Sequence, residues 1–227
     1  MKKVVIIGGS KGIGYALLSK LVDDYQVINL SRTNPANLND KFEHITFDIT
    51  KDDLPNLENI AHLVYCPGSI NLKPISSLKL EDFKEDMEIN LYGAIKAIKA
   101  YHRQLSKSEN ASITLFSTVA VTQGMPFHSS VAAAKGAIEG LTKALAAEFA
   151  PKIRVNCIAP TITTTPLAAH ILKNEDVINK LKQKHPLKNI LDPQDLADMA
   201  AYLIGPSGKN ITGQILHIDA GLSTLKL

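Results

Sequence analysis

Two stretches of this chain carry residue types that packing alone does not call for. The first is "GGSKGIG", residues 8–14, with Gly8, Gly12 and Gly14 at intervals of four and two. A glycine-rich turn between a strand and a helix lets the backbone approach a pyrophosphate. The helix N-terminus then offers unpaired N–H groups and the positive end of its dipole. A glycine pattern by itself is weak evidence. Here the apolar run "KVVII" precedes it, and helically spaced Ile13, Leu17, Leu18 and Leu21 follow, which is the context phosphate binding needs. The second stretch is "SSVAAAKGAIEGL", residues 129–141, where Lys135 stands in a run of small apolar residues. A lysine head is strongly hydrated and is rarely buried without a partner. It must either meet such a partner or snorkel to solvent.

The elements that position these groups follow from periodicity. Short continuous apolar runs, "KVVIIG", "QVINLS", "EHITFDIT", "NIAHLVYCPG", "ASITLFST", "IRVNCIAP" and "GQILHID", predict seven buried strands. Between them, helical spacing predicts a helix after the glycine loop, a long one over 80–106 and another over 129–150. Ser129 or Ser130 would cap the last of these. Strands alternating with helices imply an α/β fold: a doubly wound, Rossmann-type parallel sheet with helices on both faces. The chain has 227 residues, 45% hydrophobic, with no linker-like break, so a single domain over 1–227 is expected. The segment at about 161–191 is less regular, carries Pro166 and Pro186, and is expected to form a flap over a substrate.

Composition excludes several classes. A net charge of +3 with scattered lysines gives no basis for nucleic acid as a partner. The cluster around Lys180–Lys188 is interrupted by Leu181, Gln183 and Pro186, as on a solvated helix face. Cys66 and Cys157 lie far apart without metal spacing, which predicts free thiols, no metal and a cytoplasmic setting. The start "MKKVVIIGG" has an apolar run of only four residues, Val4–Ile7, too short for a signal segment. No stretch reaches the roughly 18 apolar residues of a membrane span.

After the second strand, many dinucleotide sites place an acid that bonds the ribose hydroxyls. This chain has Ser31-Arg32 instead. Arginine can pair bidentately with a 2′-phosphate, serine can donate to it, and Lys11 adds a second cation. NADP(H) is therefore expected in preference to NAD(H).

The glycine spacing G-x-x-x-G-x-G resembles the short-chain dehydrogenase/reductase family, and its 3-oxoacyl-(acyl carrier protein) reductases in particular. The resemblance covers nearly the whole chain. "FDIT" places Asp48 where the family binds adenine, "VNCIAP" places Pro160 at the proline of its Pro-Gly, with Thr161 replacing the glycine, and "TGQILHIDAG" resembles its C-terminal strand. Ile7 replaces the threonine that usually opens the glycine motif. The resemblance implies cofactor contacts at Gly8, Ser10, Lys11, Gly12, Ile13, Gly14, Ser31, Arg32, Asp48, Ile49, Cys66, Pro67, Gly68, Lys135, Pro160, Thr163 and Thr165.

The family's chemistry uses asparagine, serine, tyrosine and lysine, with tyrosine giving a proton as hydride arrives. Carried over position by position, "MEINLYG" supplies Asn90, "LFSTVA" puts Thr118 at the serine position, and Lys135 is the lysine. The tyrosine position is Val131, 13 residues after Thr118 as in the family, so no shift of register recovers a tyrosine. His128, seven residues before Lys135, could act as an acid in its place or be an ordinary polar residue before a helix. The resemblance thus implies an NADP(H)-dependent oxidoreductase acting on a small-molecule carbonyl or enoyl substrate, an acyl thioester among them. The alternatives are a catalytically impaired nucleotide sensor or partner subunit, and an interaction module without cofactor. A homo-oligomer, dimer or tetramer, is expected from small and apolar residues around the helices at 80–106 and 129–150.

Overall fold

The computed structural model describes residues 1–35 and 41–226. Its strands are β1 (Lys3–Ile7), β2 (Gln26–Ser31), β3 (Phe42–Thr46), β4 (Ile60–Tyr65), β5 (Ala111–Phe116), β6 (Ile153–Pro160) and β7 (Ile215–Ile218). Its helices are α1 (Gly12–Leu21), α2 (Leu80–Met87), α3 (Gly93–Leu105), α4 (Ser129–Phe149), α5 (Glu175–Lys184) and α6 (Pro193–Ile204). The strands form one parallel sheet in the order β3-β2-β1-β4-β5-β6-β7. This is the doubly wound α/β arrangement that the alternating pattern predicts.

Alternation along β1 shows how the sheet is covered. Val5 and Ile7 point into an apolar cluster with Ala94, Ala97 and Ile98 of α3 and Ile138 of α4. Val4 and Ile6 point the other way, into a cluster with Leu17 and Leu18 of α1 and Leu196, Ala200 and Leu203 of α6. Each such buried side chain contributes about 1.5–3 kcal/mol. Among the described residues no helix is long and apolar enough to cross a membrane, and no His/Cys/Asp/Glu cluster could hold a metal ion.

Four local readings need correction. The third strand ends at Thr46, which leaves Asp48 in the loop beyond it. The helix expected over 80–106 is interrupted by a π-helical turn, Glu88–Tyr92. The N-cap of α4 is His128 and has no side-chain cap bond, whereas Ser130 is buried and donates to Asn71 O at 3.4 Å. Helix α6 was not anticipated. Its signal is Asp192-Pro193 with a reciprocal cap: Asp192 Oδ1 accepts from Gln194 N at 2.9 Å, and Asp195 Oδ2 accepts from Asp192 N at 2.8 Å.

Strand order reverses at β1. The chain leaves β1 towards β2 on one side, while β4 lies on the other. Loops leaving the C-terminal ends of β1 and β4 therefore diverge and open a crevice, the usual ligand position in such sheets.

Candidate functional site

The crevice begins where β1 ends. Gly8 and Gly12 have φ of +84° and +54°, a left-handed conformation that side chains disfavour. A Cβ on Gly8 would sit 3.1 Å from Pro67 N, and one on Gly12 would sit 3.3 Å from Thr165 Cβ. Helix α1 starts from an extended Lys11 with no side-chain cap, so its first-turn N–H groups are left for a ligand. The loop is braced by Asn29, whose Oδ1 accepts from Gly9 N at 3.0 Å. Ile7, where the family motif has threonine, is fully within the core.

Two adjoining cavities run along the crevice. The first, about 750 Å³, is lined by Gly8, Ser10, Lys11, Gly12, Ile13, Gly14, Ser31, Arg32, Asp48, Ile49, Cys66, Pro67, Gly68 and Thr165. The second, about 660 Å³, is lined by Asn90, Thr118, Val131, Lys135, Pro160 and Thr163, with apolar walls from Ile70, Met125, Ile162, Leu167 and Ile171. Ile13, Cys66, Gly68, Thr165 and Leu167 line both. Every site residue expected from the sequence thus faces one continuous cleft.

One expected donor is otherwise engaged. Ser31 is buried, its hydroxyl donates to Thr33 O at 3.0 Å, and it accepts from Asn29 Nδ2 at 3.0 Å. Its proton does not point to a ligand, which leaves the exposed Arg32, Lys11 and Lys51 as cations lining this end. Asp48 Oδ1 accepts from Thr50 Oγ1 at 2.7 Å and Thr50 N at 3.0 Å, and these bonds hold its carboxyl below the ordinary value.

Lys135 lies on the buried stripe of α4 with Val131, Ala134 and Ile138, at i and i+4 spacing. It is 8% exposed, and Nζ donates to Phe116 O at 2.9 Å. Burial pulls its pKa down to about 8, against smaller opposing effects of Cys157, Cys66 and Asp86. Burial likewise pushes both thiols, which are free, up to about 12. A lysine whose folded pKa is depressed contributes stability above its unfolded value of 10.5, and that contribution is lost as pH falls through about 8. Lys135→Met is therefore expected to be more stable than wild type at pH 7, by up to about 3 kcal/mol. The difference should vanish above pH 10.5; thermal melts at the two pH values check it.

Thr118 is half-buried at the cavity wall, and its Oγ1 accepts from Ala120 N at 3.3 Å. Ser117 turns away and donates to Glu139 Oε1 at 2.6 Å. Asn90 sits in the π turn and is fully buried. Its Nδ2 donates to Asp86 O at 2.9 Å and Ser69 Oγ at 3.1 Å, and Tyr65 OH donates to Ile89 O at 2.6 Å. The bonds to Asp86 O and Ile89 O take up carbonyls of the widened turn. Val131 is 4% exposed and offers the cavity no polar atom. His128 also lines the cavity, and its Nδ1 donates to Pro126 O at 2.8 Å.

Several residues here were missed in the sequence. Asn29 braces the glycine loop. Asp86 accepts from Ser69 Oγ at 2.6 Å beside Asn90. His185 on the 161–191 segment accepts at Nε2 from Thr161 Oγ1 at 2.8 Å, while its Nδ1 donates to Leu181 O at 2.8 Å. That bond ties the segment to the end of β6 and explains how Thr161 is accommodated in place of glycine. Helix α5 follows within the same segment from its Asn174 cap.

Known proteins resemble this chain over nearly its full length. A family model described as enoyl-(acyl carrier protein) reductase matches residues 39–223. A tropinone reductase homolog of Arabidopsis thaliana is 29% identical, over 98% of this chain and 91% of its own. Aldohexose dehydrogenase of Thermoplasma acidophilum, solved ligand-free, superposes with a TM-score of 0.90 at 28% identity, covering 99% of this chain and 95% of that one. ElxO, solved with NADP bound, superposes with a TM-score of 0.89 at 27% identity, covering 99% and 100%. With its seven-stranded parallel sheet and its glycine-loop cleft, the chain belongs to the short-chain dehydrogenase/reductase family.

Proposed function

We propose that this protein is an NADP(H)-dependent oxidoreductase that reduces a carbonyl or enoyl group of a small apolar substrate, acyl thioesters among them. The observation that carries the reading is Lys135, a buried ammonium in an apolar cavity that runs directly into the glycine-loop groove. The groove fits a dinucleotide: a Cβ would fill it at Gly8 and Gly12, and the start of α1 is uncapped. Arg32 and Lys11 would hold the 2′-phosphate, and the α1 N-terminus the pyrophosphate. NADPH, when bound, supplies hydride. Thr118 offers a hydroxyl to polarise the substrate oxygen, and the apolar walls exclude water, which strengthens that interaction. ElxO, a similar structure with NADP bound, supports the cofactor, and the description of the matching family supports an enoyl substrate.

Oxidation of NADPH on addition of enoyl or 3-oxoacyl thioesters tests the reading. Arg32→Ala is expected to weaken NADPH binding by about 10- to 100-fold while leaving NADH unchanged, the equivalent of one charge-assisted hydrogen bond. Dissociation constants for both cofactors check this; equal loss for both would contradict the assignment. Val131 favours a second reading, a catalytically impaired nucleotide sensor or a partner subunit, and steady turnover would sink it. The proposal also comprises a single domain with residues 161–191 as its flap, a cytoplasmic setting and a homo-dimer or tetramer. Exposed Ala133, Gly140, Ala144 and Ala147 on α4 support close approach of a second copy, and light scattering reads the oligomer.

A further inference from the structure

We propose that Lys135 is itself the proton donor of the reduction, its ammonium facing the space that a side chain longer than Val131 would close. This rests on the reductase reading above. Val131 and Lys135 are one helical turn apart on the same face of α4, and both line the substrate cavity. Valine ends at its methyl groups, so position 131 offers Nζ no hydrogen-bond partner. An ammonium has three N–H groups. One goes to Phe116 O at 2.9 Å, and among the described residues Nζ makes no second hydrogen bond. Nζ stands beside Gly68, where a Cβ would be 3.9 Å from it, and Gly68 lines both cavities. The ammonium therefore stands in the substrate cavity beside its junction with the glycine-loop groove, where a bound nicotinamide would meet a substrate.

Its surroundings suit an acid that releases and regains a proton near neutrality. Burial lowers its pKa, while Cys66 beside β4, Cys157 on β6 and Asp86 on α2 act on it in the opposite sense. Asp86 is fully buried; its Oδ1 accepts from Ser69 and Asn71, and its Oδ2 has no partner among the described residues. Glu139, one turn further along α4, is engaged by Ser117. In the step, hydride forms a new C–H bond at the substrate carbon as the C=O π bond breaks. The oxygen takes a proton from Nζ, NADPH becomes NADP⁺, and the neutral amine regains a proton from solvent once the product has left, so that one proton is consumed per turnover.

The test pairs titration with turnover. NMR of lysine side chains in the whole protein, assigned with Lys135→Arg, is expected to show one lysine titrating near 8. Lys135→Arg, which keeps the charge but does not release its proton, should bind NADPH within tenfold of wild type and lose kcat by about 10²- to 10⁴-fold. Wild-type kcat should fall as pH rises through about 8, and that limb should remain in His128→Gln. A lysine titrating at its ordinary value, a limb that disappears in His128→Gln, or Lys135→Arg kcat within threefold of wild type overturns the role. Wild type that binds NADPH but turns over no ketone or enoyl thioester removes the reductase reading itself, and the proton-donor role with it.

Discussion

Val131→Tyr is expected to raise the rate of ketone reduction by about 10²-fold or more, the lower part of the range for gaining a positioned general acid. The position is 4% exposed at the cavity wall, one turn before Lys135, so the ring would extend into open volume rather than into packed core. Its hydroxyl would enter the cavity that Lys135 and Thr118 also line. The gain sits at the low end because Lys135 already supplies a proton in our account. A second signature separates this from a general improvement in binding: the rise should appear in kcat, and the limb near pH 8 should move once tyrosine takes over the transfer. A variant no faster than wild type would mean that the missing acid does not limit the reaction.

Gly14→Ala carries the second large effect. A Cβ at this position would fall on the carbonyl oxygen of Gly8 and lie 3.0 Å from Gly8 C and Gly9 Cα. These are backbone atoms that cannot easily retreat. Gly8 N is bonded to Leu30 O at 2.8 Å, and Gly9 N is held by Asn29. Overpacking of this kind costs about 1–3 kcal/mol. The loop that must move is also the one that receives the pyrophosphate, so NADPH affinity should fall at least about tenfold, a further 1.4 kcal/mol on the affinity scale. Urea midpoints and NADPH titration of the same preparation read the two effects. Wild-type affinity in a destabilised variant would show that Gly14 serves packing alone.

The parts legible in the sequence were those set by local pattern. Strand β1, the glycine loop and α1 follow one another within twenty residues, and each carries its own periodicity or turn chemistry. Lys135 was legible as an exception because the apolar spacing of its helix is regular around it. The absence of tyrosine at 131 was equally plain, since the spacing to Thr118 needs no gap.

What escaped depends on partners distant in the chain. Ser31 is the local exception: Asn29 and Thr33, each two residues away, take up its hydroxyl, where the sequence suggests a donor open to a ligand. The π turn at Glu88–Tyr92 looks like continuous helix by periodicity; it forms because Tyr65 and Ser69, from the β4 strand and its loop, engage Ile89 and Asn90. The Thr161–His185 bond joins residues 24 apart. Helix α6 had a local signal in its Asp-Pro cap, but its small apolar face becomes informative only when packed against α1.

The measurement that tests the central claim most directly is an NADPH titration followed by the cofactor's own fluorescence, with NADH alongside. The chain has no tryptophan to feed that emission by energy transfer. The account predicts saturable binding, with NADPH held at least about tenfold tighter than NADH through Arg32 and Lys11. Absence of binding by either cofactor would contradict it and would leave the glycine loop and Lys135 as parts of a fold that has lost its chemistry.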